Sequence, residues 1–217
     1  MPGFRDEPVP PEVIDRALRF AAEAPSGYNL QPWRFVLVRS PRRRARLREA
    51  AFDQEKITQA PLVIVATAPR EAWRERADEI FLGKAARTGR DLSRDPAKLE
   101  KMKASAFQFI DGVPREVWLT RQVMIAFTYL MLGFESLGWQ TAPMEGFDAE
   151  AVRNALDLPP DTEVVALLAV GRGSESAVLH PGRLGVEQIA CDERVGNPWR
   201  GLDQGSGNPA HPPGAVS

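Results

Sequence analysis

Apolar residues recur at helical spacing in several segments of the chain. In PEVIDRALRFAAEA (11–24), the apolar positions Val13, Ile14, Ala17 and Leu18 fall on one face, and the prolines before them suit a helix start. Further helices are predicted at 41–52, 115–137 and 148–156, the last with Asp148 as its N-cap.

Between these helices lie short apolar runs that predict β-strands. RFVLV (34–38) is β-branched and short, whereas PLVIVAT (61–67) and TEVVALLAVG (162–171) are continuous apolar runs of the kind that strands buried on both faces show. A brief strand is predicted at WQTA (139–142). Strands that alternate with helices predict a layered core with a central sheet, whose strand order the pattern leaves open.

The segment 69–114 departs from this alternation. It contains two amphipathic patterns, 70–87 and 95–110, joined by a polar stretch. We interpret it as a helical excursion from the sheet, forming a lid or outer layer. The rest of 1–202 reads as a single domain, and the Gly/Pro/Ser-rich tail 203–217 is expected to be disordered.

Composition narrows the classes of function. The 217 residues carry 28 basic and 29 acidic side chains, so no global field attracts nucleic acid or a membrane surface. One cysteine and two histidines argue against disulfides and against a metal site. The N-terminus lacks a secretion-signal pattern, and the most apolar run, 119–134, carries Arg121 and Gln122 and is short for a membrane span. We expect a cytoplasmic protein without a membrane or nucleic-acid partner.

The loop APSGYNLQPWRF (24–35) concentrates hydrogen-bonding groups before a large aromatic residue. Ser26, Asn29 and Gln31 offer donors and acceptors at short spacing, and Gly27 permits positive φ or close approach of a ligand. Such a loop suits a planar heterocycle with polar edges. The alternative is a capped helix end in which Trp33 belongs to the core.

A second candidate is PMEGFD (143–148), between the short strand and a helix. Gly146 can present its backbone N–H to a ligand without an obstructing side chain, near the positive end of the following helix. An ordinary strand-to-helix turn is the alternative.

Other chemistries find little support in the residues. The seven arginines within 34–48 are interpreted as a solvated helix face, and Arg183 in a Pro/Gly loop is either a phosphate ligand or a solvated side chain. There is no GxSxG elbow and no glycine-rich phosphate loop, and Cys191 beside Asp192 and Glu193 is a poor thiolate candidate. No catalytic side chain is assigned, so demanding chemistry would come from a bound cofactor.

The two candidate loops, in their order along the chain, resemble those of the FMN-dependent nitroreductase family. The resemblance extends over most of the sequence, through FRDEPVPPEVIDRAL, APSGYNLQPWRFVLV, AAFDQEKITQAPLVIVAT, TRQVMIAFTYLMLGFESLGWQTAPMEGFD, LDLPPDTEVVALLAVG and RLGVEQI. It implies an α+β fold, a three-layer sandwich with a central mixed sheet, in which two protomers intertwine as a homodimer with FMN at the interface.

The resemblance also implies which residues meet FMN. One loop would lie against the flavin from the partner subunit, the strand-end segment would place backbone groups near its central ring, Gln54 would face the pyrimidine edge, and Arg183 would meet the phosphate. The residues so implied are Pro25, Ser26, Gly27, Asn29, Gln54, Pro143, Met144, Glu145, Gly146 and Arg183. Trp33 is assigned to packing behind the loop.

One departure from the family pattern concerns the phosphate. The family's Arg-x-Ser segment would precede Phe4, where this sequence has only Met1, Pro2 and Gly3. Either the chain start as given is late, or the phosphate relies on Arg183 with help from Arg5.

The function implied by the resemblance is an oxidoreductase that takes hydride from NAD(P)H and passes it through FMN to a small electron-poor acceptor, by a ping-pong mechanism. Nitroaromatics and quinones are the acceptors that it suggests, and the excursion would set their choice, with Trp73, Phe81, Phe107 and Phe109 as lining or as helix core. Two alternatives stay open: another reductive reaction such as dehalogenation, and a flavin-binding or degenerate dimer without enzymatic activity.

Overall fold

The computed structural model describes residues 3–174 and 182–201, which belong to two compact units, Met1–Ala177 and Val178–Ser217. A single domain over 1–202 therefore remains a prediction, and the predicted disordered tail 203–217 lies outside the described residues.

Helices and strands alternate through the first unit. Its helices are α1 (Pro11–Ala22), α2 (Pro41–Ala50), α3 (Lys56–Gln59), α4 (Ala72–Glu75), α5 (Ala77–Arg87), α6 (Pro96–Asp111), α7 (Arg115–Ser136) and α8 (Ala149–Leu156). Its strands are β1 (Arg34–Val38), β2 (Leu62–Pro69), β3 (Gln140–Met144) and β4 (Thr162–Gly171). The predicted helices and strands are thus confirmed in kind, with ends that differ by a few residues.

The strands form one four-stranded sheet in the order β1-β2-β4-β3. All of its pairings among the described residues are antiparallel, which corrects the expected mixed sheet. The reason lies in the connections. Two helices join β1 to β2, and β2 enters the sheet beside Val38, at the end where β1 stops, so these neighbours run in opposite directions.

Helices cover both faces of the sheet and make the structure a three-layer α+β sandwich. On one face α1, α7 and the helices of the excursion pack against Leu62, Ile64 and Ala66 of β2. On the other face α2, α3 and α8 pack against Val63 and Val65. Because alternate residues of β2 face opposite layers, both sets must be apolar, which explains the continuous apolar run.

The N-cap predicted for α8 is confirmed. The Asp148 carboxylate oxygen Oδ1 accepts hydrogen bonds from the backbone N–H groups of Glu150 at 2.9 Å and Ala151 at 3.1 Å. A carboxylate at this position also lies at the positive end of the helix dipole. The cap therefore fixes where the chain turns from the loop after β3 into α8.

The excursion 69–114 is helical, but its first predicted helix is divided at Arg76 into α4 and α5. Trp73 and Phe81 are buried in the core below it, and Phe107 packs partly against the same cluster. Of the four aromatic residues proposed as lining, only Phe109 is exposed, at 62%. Helix core is therefore the better description of the other three.

The arginines of α2 are not simply solvated. Arg46 donates from Nη2 to the Asn154 carbonyl oxygen at 2.7 Å, and Arg43 pairs with Asp157 at 3.3 Å. Both partners lie at the end of α8. These contacts fasten α2 to α8 across the outer layer and give the basic segment a structural role.

Helix α7 is the only helix among the described residues that is long and apolar enough to cross a membrane, judged by length and composition alone. A core helix passes the same test. In this structure Leu119, Val123, Phe127 and Leu130 of α7 are fully buried in the core. Its apolar character is thus explained by packing on that side.

The close packing of α1 on α7 depends on Gly133. A Cβ at this position would lie 3.0 Å from the Phe20 Cβ and 3.2 Å from the Ala17 Cα, so a larger residue must push the helices apart. We expect Gly133→Val to lower the free energy of unfolding by about 1–3 kcal/mol, measured by urea denaturation. The matched control is Gly83→Ala in α5, whose added Cβ would meet nothing within 4 Å. Equal destabilisation by both substitutions would contradict this assignment.

The second unit is short and loop-rich among its described residues, 182–201. It contains helix α9 (Val186–Ile189) and an isolated bridge between Cys191 and Pro198. The Trp199 N–H donates to the Ala190 carbonyl oxygen at 3.0 Å. Cys191 is a free thiol on its surface.

Candidate functional site

The loop between α1 and β1, residues 25–33, is held by its own side chains and by one distant anchor. The Ser26 hydroxyl oxygen accepts from the Gln31 N–H at 3.0 Å. The Gly27 N–H donates to the side-chain oxygen Oε1 of Gln122 in α7 at 2.7 Å. Gln122 itself is buried, with 9% of its surface exposed. The loop is therefore hydrogen-bonded to the core helix α7 at Gly27.

The backbone of this loop is strained at residues that carry side chains. Tyr28, Asn29 and Gln31 have φ values of 54°, 63° and 46°. Gly27 is not among the positive-φ positions, so the conformational freedom expected of it is not used. A positive φ is energetically unfavourable for any residue that carries a Cβ. Clusters of such residues mark sites where the surrounding structure holds the backbone in a strained conformation.

The aromatic residues around the loop have distinct places. Trp33 is 8% exposed and belongs to the core cluster, which confirms its assignment to packing. Tyr28 is 39% exposed and meets Phe109 of α6 edge to face, with ring centroids 6.1 Å apart. The exposed aromatic of the excursion thus touches the candidate loop.

The segment after β3 turns its polar groups outward. Met144 is buried against the sheet, whereas Pro143, Glu145 and Gly146 are exposed. The Gly146 N–H has no hydrogen-bond partner within the part of the chain that the structure describes. Its backbone is open, because an added Cβ would meet only Gln54 and Phe52, at 3.6 and 3.9 Å.

Gln54 and Gly146 are brought together, although 92 residues separate them. The Gln54 side-chain nitrogen Nε2 donates to the Gly146 carbonyl oxygen at 2.7 Å, and the Asp148 N–H donates to the Ala50 carbonyl oxygen at 2.8 Å. The turn after α2 and the segment after β3 therefore form one corner. Phe52, 70% exposed with φ at 53°, is the strained aromatic of that corner.

The two candidate segments lie at the same end of the sheet but at opposite edges. The register aligns Val36 of β1 with Val65, Leu167 and Met144 in one row across the sheet. From this row β1 runs back into the first loop and β3 runs on into Gly146, in the same direction. Three strand spacings of about 4.8 Å place the two edges roughly 14 Å apart.

Arg183 lies in the second unit. It is exposed, and its guanidinium nitrogen Nη1 donates to the Gly182 carbonyl oxygen at 2.7 Å. In the first unit the Arg5 N–H donates to the Arg172 carbonyl oxygen at 2.7 Å, and the Arg5 side chain is exposed. Both arginines therefore remain candidates for the phosphate. No cluster of three or more metal-ligating side chains occurs in 3–174 or 182–201.

Two residues of these corners escape sequence reasoning. Gln122 anchors the first loop, and its one signal is an amide within the most apolar run of the chain. Phe52 has no local signal, because nothing in AAFDQEK distinguishes an exposed strained phenylalanine from a core residue. Gln122 is identified by its contact and Phe52 by its backbone angle, and neither can be deduced from the local sequence pattern.

The sequence and fold of this chain are similar to those of known proteins. The profile described as Nitroreductase family matches residues 3–172. A protein named NADH dehydrogenase from Thermus thermophilus is 36% identical over 187 residues, covering 86% of this chain and 87% of that protein. The crystal structure of a nitroreductase family protein from Streptococcus pneumoniae superposes with a TM-score of 0.71 at 25% identity, covering 88% and 94% of the two chains. A nitroreductase from Exiguobacterium sibiricum solved in complex with FMN has a TM-score of 0.72 at 22% identity and coverage of 87% and 90%, which supports the fold.

Proposed function

We propose, because this chain belongs to the nitroreductase family, that it is an FMN-dependent oxidoreductase that uses NAD(P)H to reduce a small electron-poor acceptor. The observation that carries the proposal is the pair of exposed polar corners at one end of the sheet. The FMN complex of the Exiguobacterium relative and the name of the Thermus relative support the cofactor and the reductant. A cytoplasmic location remains a prediction.

The residues of the two corners suit a flavin. The Gly146 N–H lacks a partner within the described residues, and its surroundings leave room for a flat ring. Asn29 presents a side-chain amide that makes no hydrogen bond within the described residues, and Gln54 offers a second amide beside Gly146. Donors and acceptors of this kind match the polar edge of an isoalloxazine. We assign FMN binding to Pro25, Ser26, Gly27, Asn29, Gln54, Pro143, Met144, Glu145 and Gly146.

The work of this chain is binding and electrostatics. FMN, when bound, supplies hydride transfer from NAD(P)H to the acceptor, in a ping-pong order. The Gly146 N–H supplies a fixed donor to the ring, and a preorganised donor in a partly dry site stabilises developing negative charge. We assign no general acid, because solvent can deliver the protons. Arg183 and Arg5 are assigned to the phosphate as charge-assisted donors.

A second copy of the chain completes the site in this proposal. Within one chain the two corners are about 14 Å apart, the width of three strand spacings, so one flavin meets both only if a partner supplies one of them. Helix α7 offers the contact surface: Val117, Ile125, Tyr129 and Leu132 are 37%, 37%, 37% and 61% exposed. At 100° per residue they fall within an arc of about 120°, which we name the α7 stripe. An exposed apolar stripe on a core helix is typical of a dimer interface.

The proposal is tested by adding FMN to the purified protein and titrating it anaerobically with NADH and with NADPH. We expect a yellow protein whose visible flavin absorbance bleaches on reduction and returns on adding a nitroaromatic or a quinone. Free FMN under the same conditions is the control. Reoxidation by a halogenated phenol alone would assign dehalogenation instead. A colourless protein that FMN cannot saturate would leave a degenerate dimer as the better description.

A further inference from the structure

A cleft of about 300 Å³ lies between the first candidate loop and helix α5. On the loop side it is lined by Asn29 and Gln31, and on the helix side by Arg76, Glu79, Ile80, Lys84 and Arg87. Gly83 also lines the cleft, and a Cβ added there would meet nothing within 4 Å. The residues assigned to FMN include none from the α5 side of this cleft.

Positively charged side chains outnumber negatively charged ones around the cleft. Lys84 and Arg87 have no ion-pair or hydrogen-bond partner for their side chains in the described parts of the chain. Arg76 has one carboxylate near it, Glu79 at 3.4 Å. Lys84 and Arg87 are exposed, and unpaired cations that face one cleft raise the local concentration of an anion.

Arg34 does not line the cleft, but it places a further cation near Arg76. Within the described residues the Arg34 guanidinium nitrogen Nη1 donates only to backbone carbonyl oxygens, those of Trp33 at 2.7 Å and Gln31 at 3.4 Å. Burial, and then the charge of Arg76, lower the pKa of Arg34 below its usual range. Two guanidinium groups therefore influence each other at this end, and an anionic ligand would relieve that repulsion.

The cations are spread along the helix and not gathered at one point. Arg76, Ile80, Lys84 and Arg87 follow one another at intervals of four, four and three residues, so they share one face. At 1.5 Å per residue the row from Arg76 to Arg87 is about 16 Å long. A small acceptor with one carboxylate would meet only part of this row. An extended ligand with several phosphate charges would meet all of it.

We infer that the cleft between residues 29–31 and α5 binds the phosphates of the nicotinamide dinucleotide, with Lys84 and Arg87 as their principal ligands. The inference rests on the proposed function, since it needs NAD(P)H as the reductant. Asn29 is shared between the cleft and the proposed flavin contacts, so a dinucleotide held here has its nicotinamide end beside the flavin. The phosphate source is either the diphosphate, common to NADH and NADPH, or the 2′-phosphate of NADPH.

The test uses the FMN-loaded protein and the double variant Lys84→Gln with Arg87→Gln. We expect KM for the nicotinamide to rise by about tenfold to a hundredfold, as the loss of charge-assisted hydrogen bonds predicts, with kcat unchanged at saturation. Calorimetry with NADP⁺, NAD⁺ and adenosine 2′,5′-bisphosphate supplies a readout that does not depend on turnover. Arg94→Gln with Lys101→Gln removes the same charge from exposed positions of the excursion and is the matched control.

Equal weakening of NAD⁺ and NADP⁺ assigns the diphosphate, and weakening confined to NADP⁺ and the bisphosphate assigns the 2′-phosphate. Both results support the inference. Unchanged binding of all three ligands would overturn it. So would a loss of FMN affinity with nicotinamide binding intact, because the cations would then serve the flavin phosphate. Failure of the wild-type protein to bind FMN at all is a different outcome and refutes the proposed function itself.

Discussion

The variant Ile125→Glu with Leu132→Glu is expected to be a folded monomer that no longer retains FMN. Both positions belong to the α7 stripe, where they are 37% and 61% exposed in the single chain. A carboxylate buried without a partner in an apolar interface costs several kcal/mol. We therefore expect the dimer dissociation constant to rise by at least about a thousandfold, equivalent to about 4 kcal/mol. Light scattering after gel filtration measures the mass, which is 24.0 kDa for one chain.

The matched control for this variant is Ala45→Glu. Ala45 is exposed on α2, in the helix layer on the opposite face of the sheet, and a carboxylate there is expected to change neither mass nor flavin content. Circular dichroism shows whether each variant keeps its helices. A monomeric double variant that still holds FMN with wild-type affinity would contradict the shared site, because one chain would then suffice.

Gln122→Leu is expected to weaken FMN binding by about fivefold to a hundredfold. Leucine fills a similar volume but removes the oxygen that accepts the Gly27 N–H at 2.7 Å. A donor left without a partner in a part-buried site costs about 1–3 kcal/mol, and the strained loop beside it loses its anchor. Equilibrium titration of the apoprotein with FMN, followed by flavin fluorescence, measures the change.

The control for Gln122 is Gln122→Glu, which keeps an accepting oxygen in the same place. We expect it to recover part of the lost FMN affinity, although its buried charge lowers stability. If leucine and glutamate weaken FMN binding equally, the hydrogen bond to Gly27 is not what orders the loop. If neither weakens it, the loop does not depend on α7.

Much of the layering could be predicted from the sequence, because burial leaves a local trace. Apart from Thr67 and Thr162, the buried positions of β2 and β4 are apolar, and Asp148 is a recognisable N-cap residue before its helix. The direction of the strands had no such trace. Antiparallel pairing follows from where each connection re-enters the sheet, and this depends on the packing of α2 and α3.

The site was less accessible to sequence reasoning. The composition of the first loop correctly indicates a special conformation, but the positive φ angles fall on Tyr28, Asn29 and Gln31 and not on Gly27. The anchor Gln122 lies 95 residues away from Gly27. Contacts over such distances are decided by tertiary packing, which no local pattern encodes. The basic face of α5 likewise has no signal in the sequence beyond that of an ordinary amphipathic helix.

The left-handed backbone at the two corners has a consequence for motion. Tyr28, Asn29 and Gln31 in one corner, and Phe52 and Asp53 in the other, adopt angles that cost residues with side chains about 1–2 kcal/mol each. The free energy of local opening is therefore lower for these strained segments than for the sheet between them. Amide hydrogens at both corners should therefore exchange with deuterium before those of β2 and β4. A ligand that binds to both corners should slow exchange there first.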